Sequence, residues 1–271
     1  GARLREVGTT NKTRLEDYQR AIGTETGALL RVHPSNFRIV GFTESASTVD
    51  LVKLGAEHGL TVIEDFGSGN MQPLDALGLE SKPTVFESLA TGLDVCLFSC
   101  DKLLGGPQAG LLVGRPEAIE TMKRNPMARA LRVDKLVYAA LEATLSSFVR
   151  NRALTEIPVL RMISETKASI ATRARTLAER MGKACPELRF GTAEDHSRVG
   201  GGAAPDAVIP TVVITVSSDR LSADSILAAL RRHQPPIIAR ISHDRVLLDL
   251  RTVTPEEELV LERALTSLSD V

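Results

Sequence analysis

Residues Ser99–Gly110 read SCDKLLGGPQAG, and this stretch decides the fold. A short apolar run, Asp94–Phe98, leads into it and a second, Ala109–Val113, follows. Lys102 therefore stands just after a predicted strand and just before Gly105, Gly106 and Pro107. A lysine held by its flanks in this way can present its amine to an aldehyde cofactor, while the glycines let backbone and ligand approach closely. The alternative is a solvated loop lysine, the commoner fate of this residue type. Asp65 shifts the balance, because it closes the preceding apolar run Leu60–Glu64 and is followed by Gly67-Ser68-Gly69. Carboxyl ends of neighbouring strands are where open α/β sheets build their sites, and a pyridine-type cofactor needs a carboxylate opposite its ring nitrogen.

Working outward, Ala28–Val32 and Ile39–Phe42 read as short strands. Ser47 with Asp50 predicts a capped helix carrying Val49, Val52 and Ala56 on one face and stopping at Gly59. A helix over Thr84–Ala90 ends at Gly92. Strands alternating with helices in this way predict a parallel sheet. From Pro116 the chain turns helical, with Val133–Phe148 and Pro158–Met181 as long amphipathic segments. A polar, glycine-rich stretch over residues 194–206 precedes strands Thr211–Val216, Ile237–Ile241 and Val246–Leu250 and helices Ser222–His233 and Pro255–Leu268, an α+β pattern. The division expected from this is 1–150 for the later part of a large α/β domain and 151–271 for a linking helix and a small α+β domain.

Composition narrows the class. The 271 residues are 43% hydrophobic and 25% charged, as in an ordinary globular chain, which excludes collagen-like and disordered types. Net charge is −1, with neither half strongly basic, so bulk charge does not mark a nucleic-acid-binding domain. No apolar run is long enough to span a bilayer, and the start GARLREVGTTNKT lacks a signal-peptide core, so a cytoplasmic protein is expected. Cys96, Cys100 and Cys185 are odd in number and lack a CxxC spacing, which argues against a disulfide framework or a zinc site. No metal site is expected from His58, His196, His233 and His243, which are scattered. The first residue is not Met, and the chain is expected to lack its natural beginning.

REVGTTNKT, TVIEDFGSGN, SCDKLLGGPQAGLLVG and ARALRVDK followed by LEATL resemble, in matching order over residues 5–145, the bacterial selenocysteine synthases, L-seryl-tRNA(Sec) selenium transferases. The resemblance implies a fold type I pyridoxal phosphate-dependent transferase, aspartate aminotransferase-like α/β, here as a partial large domain plus a small C-terminal domain. It implies pyridoxal 5'-phosphate as cofactor, with Lys102 as the Schiff-base lysine and Asp65 facing the pyridine nitrogen. Ser99 matches a phosphate-contacting position, or is an ordinary strand-end serine. Asp101 matches an acidic neighbour implicated in catalysis, or merely caps the turn. His33 stacks on or flanks the ring, or is a structural histidine. Cys100 stands where many members have glycine, as a reactive thiol or a small residue tolerated in a tight turn.

Arg129 and Arg132, three apart, share a face if their segment is helical, and the resemblance puts them in the family's oxyanion-binding element. Lys123 and Arg124 are assigned to solvent. The implied reaction converts seryl-tRNA(Sec) to selenocysteinyl-tRNA(Sec) with selenophosphate through an aminoacrylyl intermediate, in a homo-oligomer, with the tRNA gripped mainly by an N-terminal region. The alternatives are a related lyase acting on a small amino acid or amino sugar acid, and a non-catalytic module that keeps the fold.

Overall fold

The computed structural model describes residues 1–34, 37, 39–75, 83–200, 204 and 207–270. Two compact units make up the chain: Gly1–Leu160 with Val199–Ala207, and Arg161–Arg198 with Val208–Val271.

In the first unit β1 (Lys12–Thr13) precedes α1 (Leu15–Ala21), β2 (Ala28–Val32) and β3 (Glu44–Ser45), and β1 and β3 pair in parallel. The strand expected over Ile39–Phe42 does not form. Gly41 sits at φ +122°, and the Thr43 N–H turns back onto the Gly41 carbonyl at 3.0 Å, so the chain bends where a strand would extend. Helix α2 (Thr48–His58) follows as its end signals predict. Ser47 Oγ accepts the Asp50 N–H, and Gly59 takes the left-handed conformation at φ +64° that glycine adopts without a side-chain clash. Next come β4 (Thr61–Gly67), α3 (Val85–Ala90), β5 (Val95–Ser99) and β6 (Gly110–Gly114).

The main sheet has the order β2-β4-β5-β6. The first three strands are parallel, whereas β6 runs antiparallel to β5, correcting the all-parallel expectation. The connection between β5 and β6 is too short for a parallel crossover, which takes about a dozen residues or more. Burial alternates along β4: Val62, Glu64 and Phe66 are buried, while Thr61, Ile63 and Asp65 are more accessible. Packing of α2 explains the buried side, since a Cβ on Gly55 would lie 2.4 Å from Val62 Cγ2 and Thr48 reaches Glu64. The other side stays open, and across it Val32, Asp65, Leu97 and Leu112 form one register row. Val32 is 60% and Leu112 49% exposed. Helices α4 (Pro116–Arg124), α5 (Pro126–Ala130), α6 (Lys135–Val149) and α7 (Ala153–Glu156) complete this part of the chain.

The amphipathic stretch from Pro158 is two helices rather than one, α8 (Pro158–Ser164) and α9 (Lys167–Ala184). Thr166 is extended and its side chain caps α9 by accepting the Ser169 N–H at 3.2 Å, so a local cap overrides the continuous apolar pattern. Helix α9 also runs through Gly182 to Ala184, past the expected stop.

In the second unit Ile170, Ala174, Leu177 and Met181 form the buried stripe of α9. The stripe belongs to a core with β7 (Leu188–Arg198), β8 (Val208–Ser218), α10 (Ala223–Arg232), β10 (Arg245–Asp249) and α11 (Pro255–Thr266), while the more exposed β9 (Arg240–Ser242) pairs with β10. The antiparallel sheet order is β7-β8-β10-β9. Strand β7 occupies 194–198 of the stretch expected to be a loop; residues 201–203, 205 and 206 of that stretch lie outside the described residues. It is an edge strand whose exposed side chains include Glu194, His196 and Arg198, a charged edge that resists pairing with other chains. Buried Arg251 ties this unit together: its guanidinium donates to the carbonyls of Met162, Glu165 and Pro210 and to Ser197 Oγ, at 2.6–3.0 Å.

Candidate cofactor site at the carboxyl ends of β4 and β5

Lys102 sits in a turn closed by the chain itself. The Cys100 N–H donates to the Ala109 carbonyl (2.9 Å), Gly106 N–H to Cys100 (2.7 Å) and Gly105 N–H to Lys102 (3.0 Å). Leu103 and Leu104 are buried and anchor the turn. The glycine pair is required by space: Gly105 has φ +72° and a Cβ there would stand 2.3 Å from Ile157 Cγ2, while a Cβ on Gly106 would press on the Cys100 carbonyl at 3.3 Å. Half-buried Lys102 and exposed Asp101 line a cavity of about 360 Å³ with Gly105, Gly106, Pro158, Val159 and Val199, all from the first unit.

Asp65 lies on the adjacent strand, within β4 rather than past its end. The pairing with β5 shifts just after it, Asp65 opposite Leu97 and Gly67 opposite Phe98, a bulge that redirects the chain. Its Oδ1 accepts the Gly67 N–H at 3.1 Å, and its carbonyl accepts the N–H of half-buried His33 at 2.9 Å. The two strand ends are tied together: Leu103 N–H donates to the Ser68 carbonyl at 3.0 Å, and a Cβ on Gly69 would lie 2.8 Å from the Phe98 ring and 3.1 Å from the Ser99 carbonyl. Thus Asp101 and Lys102 share a cavity, and His33 and Asp65 are joined through the backbone. Ser99 ends β5 opposite Gly110. Asp65, Ser99 and His33 do not line the Lys102 cavity.

Arg129 lies on α5, but Arg132 does not, which removes the shared helical face. The helix ends at Ala130 because Asp134 must be extended to cap α6, where its side chain accepts the N–H groups of Leu136 and Val137 at 2.8 and 3.0 Å. Both arginines are exposed and, among the described residues, neither has a carboxylate partner, whereas Lys123 pairs with Glu120 at 2.8 Å. Cys100 is fully buried, and burial, then Asp101, push its thiol pKa up. Cys96 is pushed up to about 12 by burial and by Glu64 and Asp65. Neither behaves as a nucleophilic thiol. No cluster of metal-binding side chains and no membrane-spanning helix occurs among the described residues.

One cluster went unread in the sequence: Arg31 of β2, Glu64 of β4 and Thr48 of α2 meet on the helix-covered face of the sheet. Its signal was a charge inside each of two apolar runs, ALLRV and TVIED.

The family model for L-seryl-tRNA selenium transferase, SelA, matches residues 1–254. The chain is 47% identical over 257 residues to the L-seryl-tRNA(Sec) selenium transferase of Carboxydothermus hydrogenoformans, covering 95% of this chain and 55% of that protein. It is 48% identical over 270 residues to the enzyme of the same name from Geotalea daltonii, covering 99% and 58%. The chain thus spans little more than half the length of these curated relatives. Among solved structures, D-glucosaminate-6-phosphate ammonia-lyase superposes with a TM-score of 0.61 at 22% identity, covering 100% of this chain and 64% of that one. The fold is the expected type I architecture of the pyridoxal phosphate-dependent enzymes.

Proposed function

Because the chain belongs to the L-seryl-tRNA selenium transferase family, we propose that it is the part of such an enzyme that carries the reacting groups, with pyridoxal 5'-phosphate held at Lys102. The full-length protein converts seryl-tRNA(Sec) to selenocysteinyl-tRNA(Sec) with selenophosphate. The observation that carries this reading is the pairing of two strand ends, Lys102 after β5 and Asp65 on β4, tied by the Leu103–Ser68 hydrogen bond. On this reading residues 1–150 are the later part of the cofactor-binding domain and 151–271 the linking helix and small domain. The full-length protein works in the cytoplasm as a homo-oligomer.

The residues present fit the cofactor. Lys102 offers a half-buried amine beside a cavity, and Asp65 offers a carboxylate in the apolar row of Val32, Leu97 and Leu112, a surface suited to a flat ring. Pyridoxal phosphate, when bound, supplies an electron sink for the substrate's α-carbon. Lys102 would hold the cofactor through its Nζ, and the same amine, when free, would serve as the base at the substrate's α-carbon. Asp65 would hold a proton on the ring nitrogen, His33 would flank the ring, and Ser99 would contact the phosphate. Asp101, which lines the same cavity, would hold or move a proton next to the lysine. Arg129 and Arg132, exposed and without a carboxylate partner among the described residues, bind the anionic donor through guanidinium forks.

Borohydride treatment of the full-length protein followed by peptide mapping tests the assignment. The pyridoxyl group is expected on Lys102, and Lys102→Ala is expected to lose the visible absorption band. Asp65→Asn retains cofactor and loses most of its turnover. Labelling at another lysine, or none in folded full-length protein, refutes the reading.

A further inference from the structure

Glu64 is 1% exposed and immediately precedes Asp65. Its Oε1 accepts hydrogen bonds from the Arg31 guanidinium and, at 3.0 Å, from the Thr48 hydroxyl, while Arg31 also donates to Thr48 Oγ1 at 3.1 Å. Its Oε2 is buried without a hydrogen-bond partner among the described residues. A buried ion pair with one oxygen unmet contributes less to stability than well-packed apolar side chains would, so stability alone does not explain it.

Register does. A one-residue slip in a strand turns every side chain to the opposite face, and normally the hydrophobic pattern forbids it. Here the pattern is nearly blind to a slip: β4 carries Val62 next to Ile63 and Glu64 next to Asp65, and β2 carries Leu29 next to Leu30. On its β5 side β4 already shifts register after Asp65. The β2 side, where Arg31 is opposite Glu64 and Val32 opposite Asp65, is left to decide which acid faces the helix and which the open side. In the observed register Arg31 and Thr48 close on Glu64, whereas a slip would offer them Asp65, a side chain one methylene shorter, in its place.

We propose that Arg31, Glu64 and Thr48 form a register lock, a set of positioning residues that hold Asp65 on the open face of the sheet with its carbonyl on the His33 N–H. Asp65's duty toward the pyridine ring rests on the function proposed above, whereas the lock itself rests on the sheet.

The test uses the full-length protein with Arg31→Leu and Glu64→Leu combined. Three quantities are read: the melting temperature, amide exchange at His33 and Gly67, and affinity for pyridoxal phosphate followed by its visible band. These two amides report the lock directly, since both donate to Asp65. Expected is a melting temperature at or above the parent's, because an apolar pair replaces a buried ion pair. With it, exchange at the two amides rises and cofactor affinity falls, each by about tenfold, the effect of about one lost hydrogen bond. Parent-like exchange at both amides overturns the lock, as does a general rise in exchange with a lowered melting temperature, which marks a merely structural pair. Should the double variant not fold, Thr48→Val removes only the shared hydroxyl, and a rise of about threefold confined to the same amides is expected; no rise overturns the proposal. Raised exchange with unchanged cofactor affinity supports the lock and refutes Asp65 as the ring partner.

Discussion

Replacing Gly105 with alanine is expected to destabilise the first unit by about 2–5 kcal/mol. Two costs add. The left-handed conformation at φ +72° costs a residue with a Cβ about 1–2 kcal/mol. The new methyl would stand 2.3 Å from Ile157 Cγ2 and 3.0 Å from Val159 Cγ1, and forcing an extra carbon into a packed site costs about 1–3 kcal/mol. Ile157 is 4% exposed, and the clashing Cγ2 is a branch on its Cβ rather than the far end of a flexible chain. The strain falls on the Lys102 turn, because the Gly105 N–H holds the Lys102 carbonyl. Gly182 is the internal control: it is helical with nothing within 4 Å of its Cβ direction, and alanine there is expected to stabilise by about 0.5–1 kcal/mol. Thermal and urea unfolding of both variants measure the difference. At about 2–4 °C per kcal/mol, the Gly105→Ala midpoint falls by about 4–20 °C. A change within about 0.5 kcal/mol of the parent, or a stabilisation like that of Gly182→Ala, refutes the turn geometry and the space argument together.

Three further outcomes are expected. Arg129→Ala and Arg132→Ala weaken selenophosphate dependence in full-length protein while cofactor uptake stays intact, and Lys in place of Arg restores only part of the activity; unchanged donor dependence in both Ala variants removes the pair from the site. Cys96 keeps its proton in the folded state up to about pH 12, against an ordinary value of 9.0, so unfolding releases a proton in that window and stability falls as pH rises through it. Cys96→Ala lacks this loss, so between about pH 8 and about pH 10 its urea midpoint gains on the parent's, and parallel midpoints refute the shift. The β9–β10 hairpin turns through His243 and Asp244 at φ +50° and +57°, a two-residue turn that prefers Asn-Gly, so His243→Asn with Asp244→Gly raises stability by about 1 kcal/mol in urea unfolding.

Features written in neighbouring residues were legible in the sequence. Ser47 with Asp50, and Gly59, set helix ends through contacts within one turn, and the structure keeps them. The glycine pair after Lys102 was legible as a tight spot, but only Gly106 answers a neighbour, the Cys100 carbonyl; the space beside Gly105 is taken by Ile157, distant in the chain. Readings that failed depended on what lies elsewhere or on one residue outweighing a pattern. Thr166 splits a continuous apolar stripe, and Asp134 ends the helical path between Arg129 and Arg132. Strand β7 looked like a loop because an edge strand carries charge on its exposed side. The Arg31–Glu64 pair was visible as two misplaced charges, yet only the strand register shows that they meet.

All three cysteines are buried, and Cys96 in β5 and Cys100 just after it resist ionisation. Chemically, the folded chain is nearly silent toward alkylating reagents, which attack the thiolate. A single cysteine placed at exposed Leu112, in the row of Asp65, would then be the fastest-reacting thiol by a wide margin. Its alkylation rate becomes a clock for that face of the sheet, slowing whenever another segment, another protomer or a ligand settles over it.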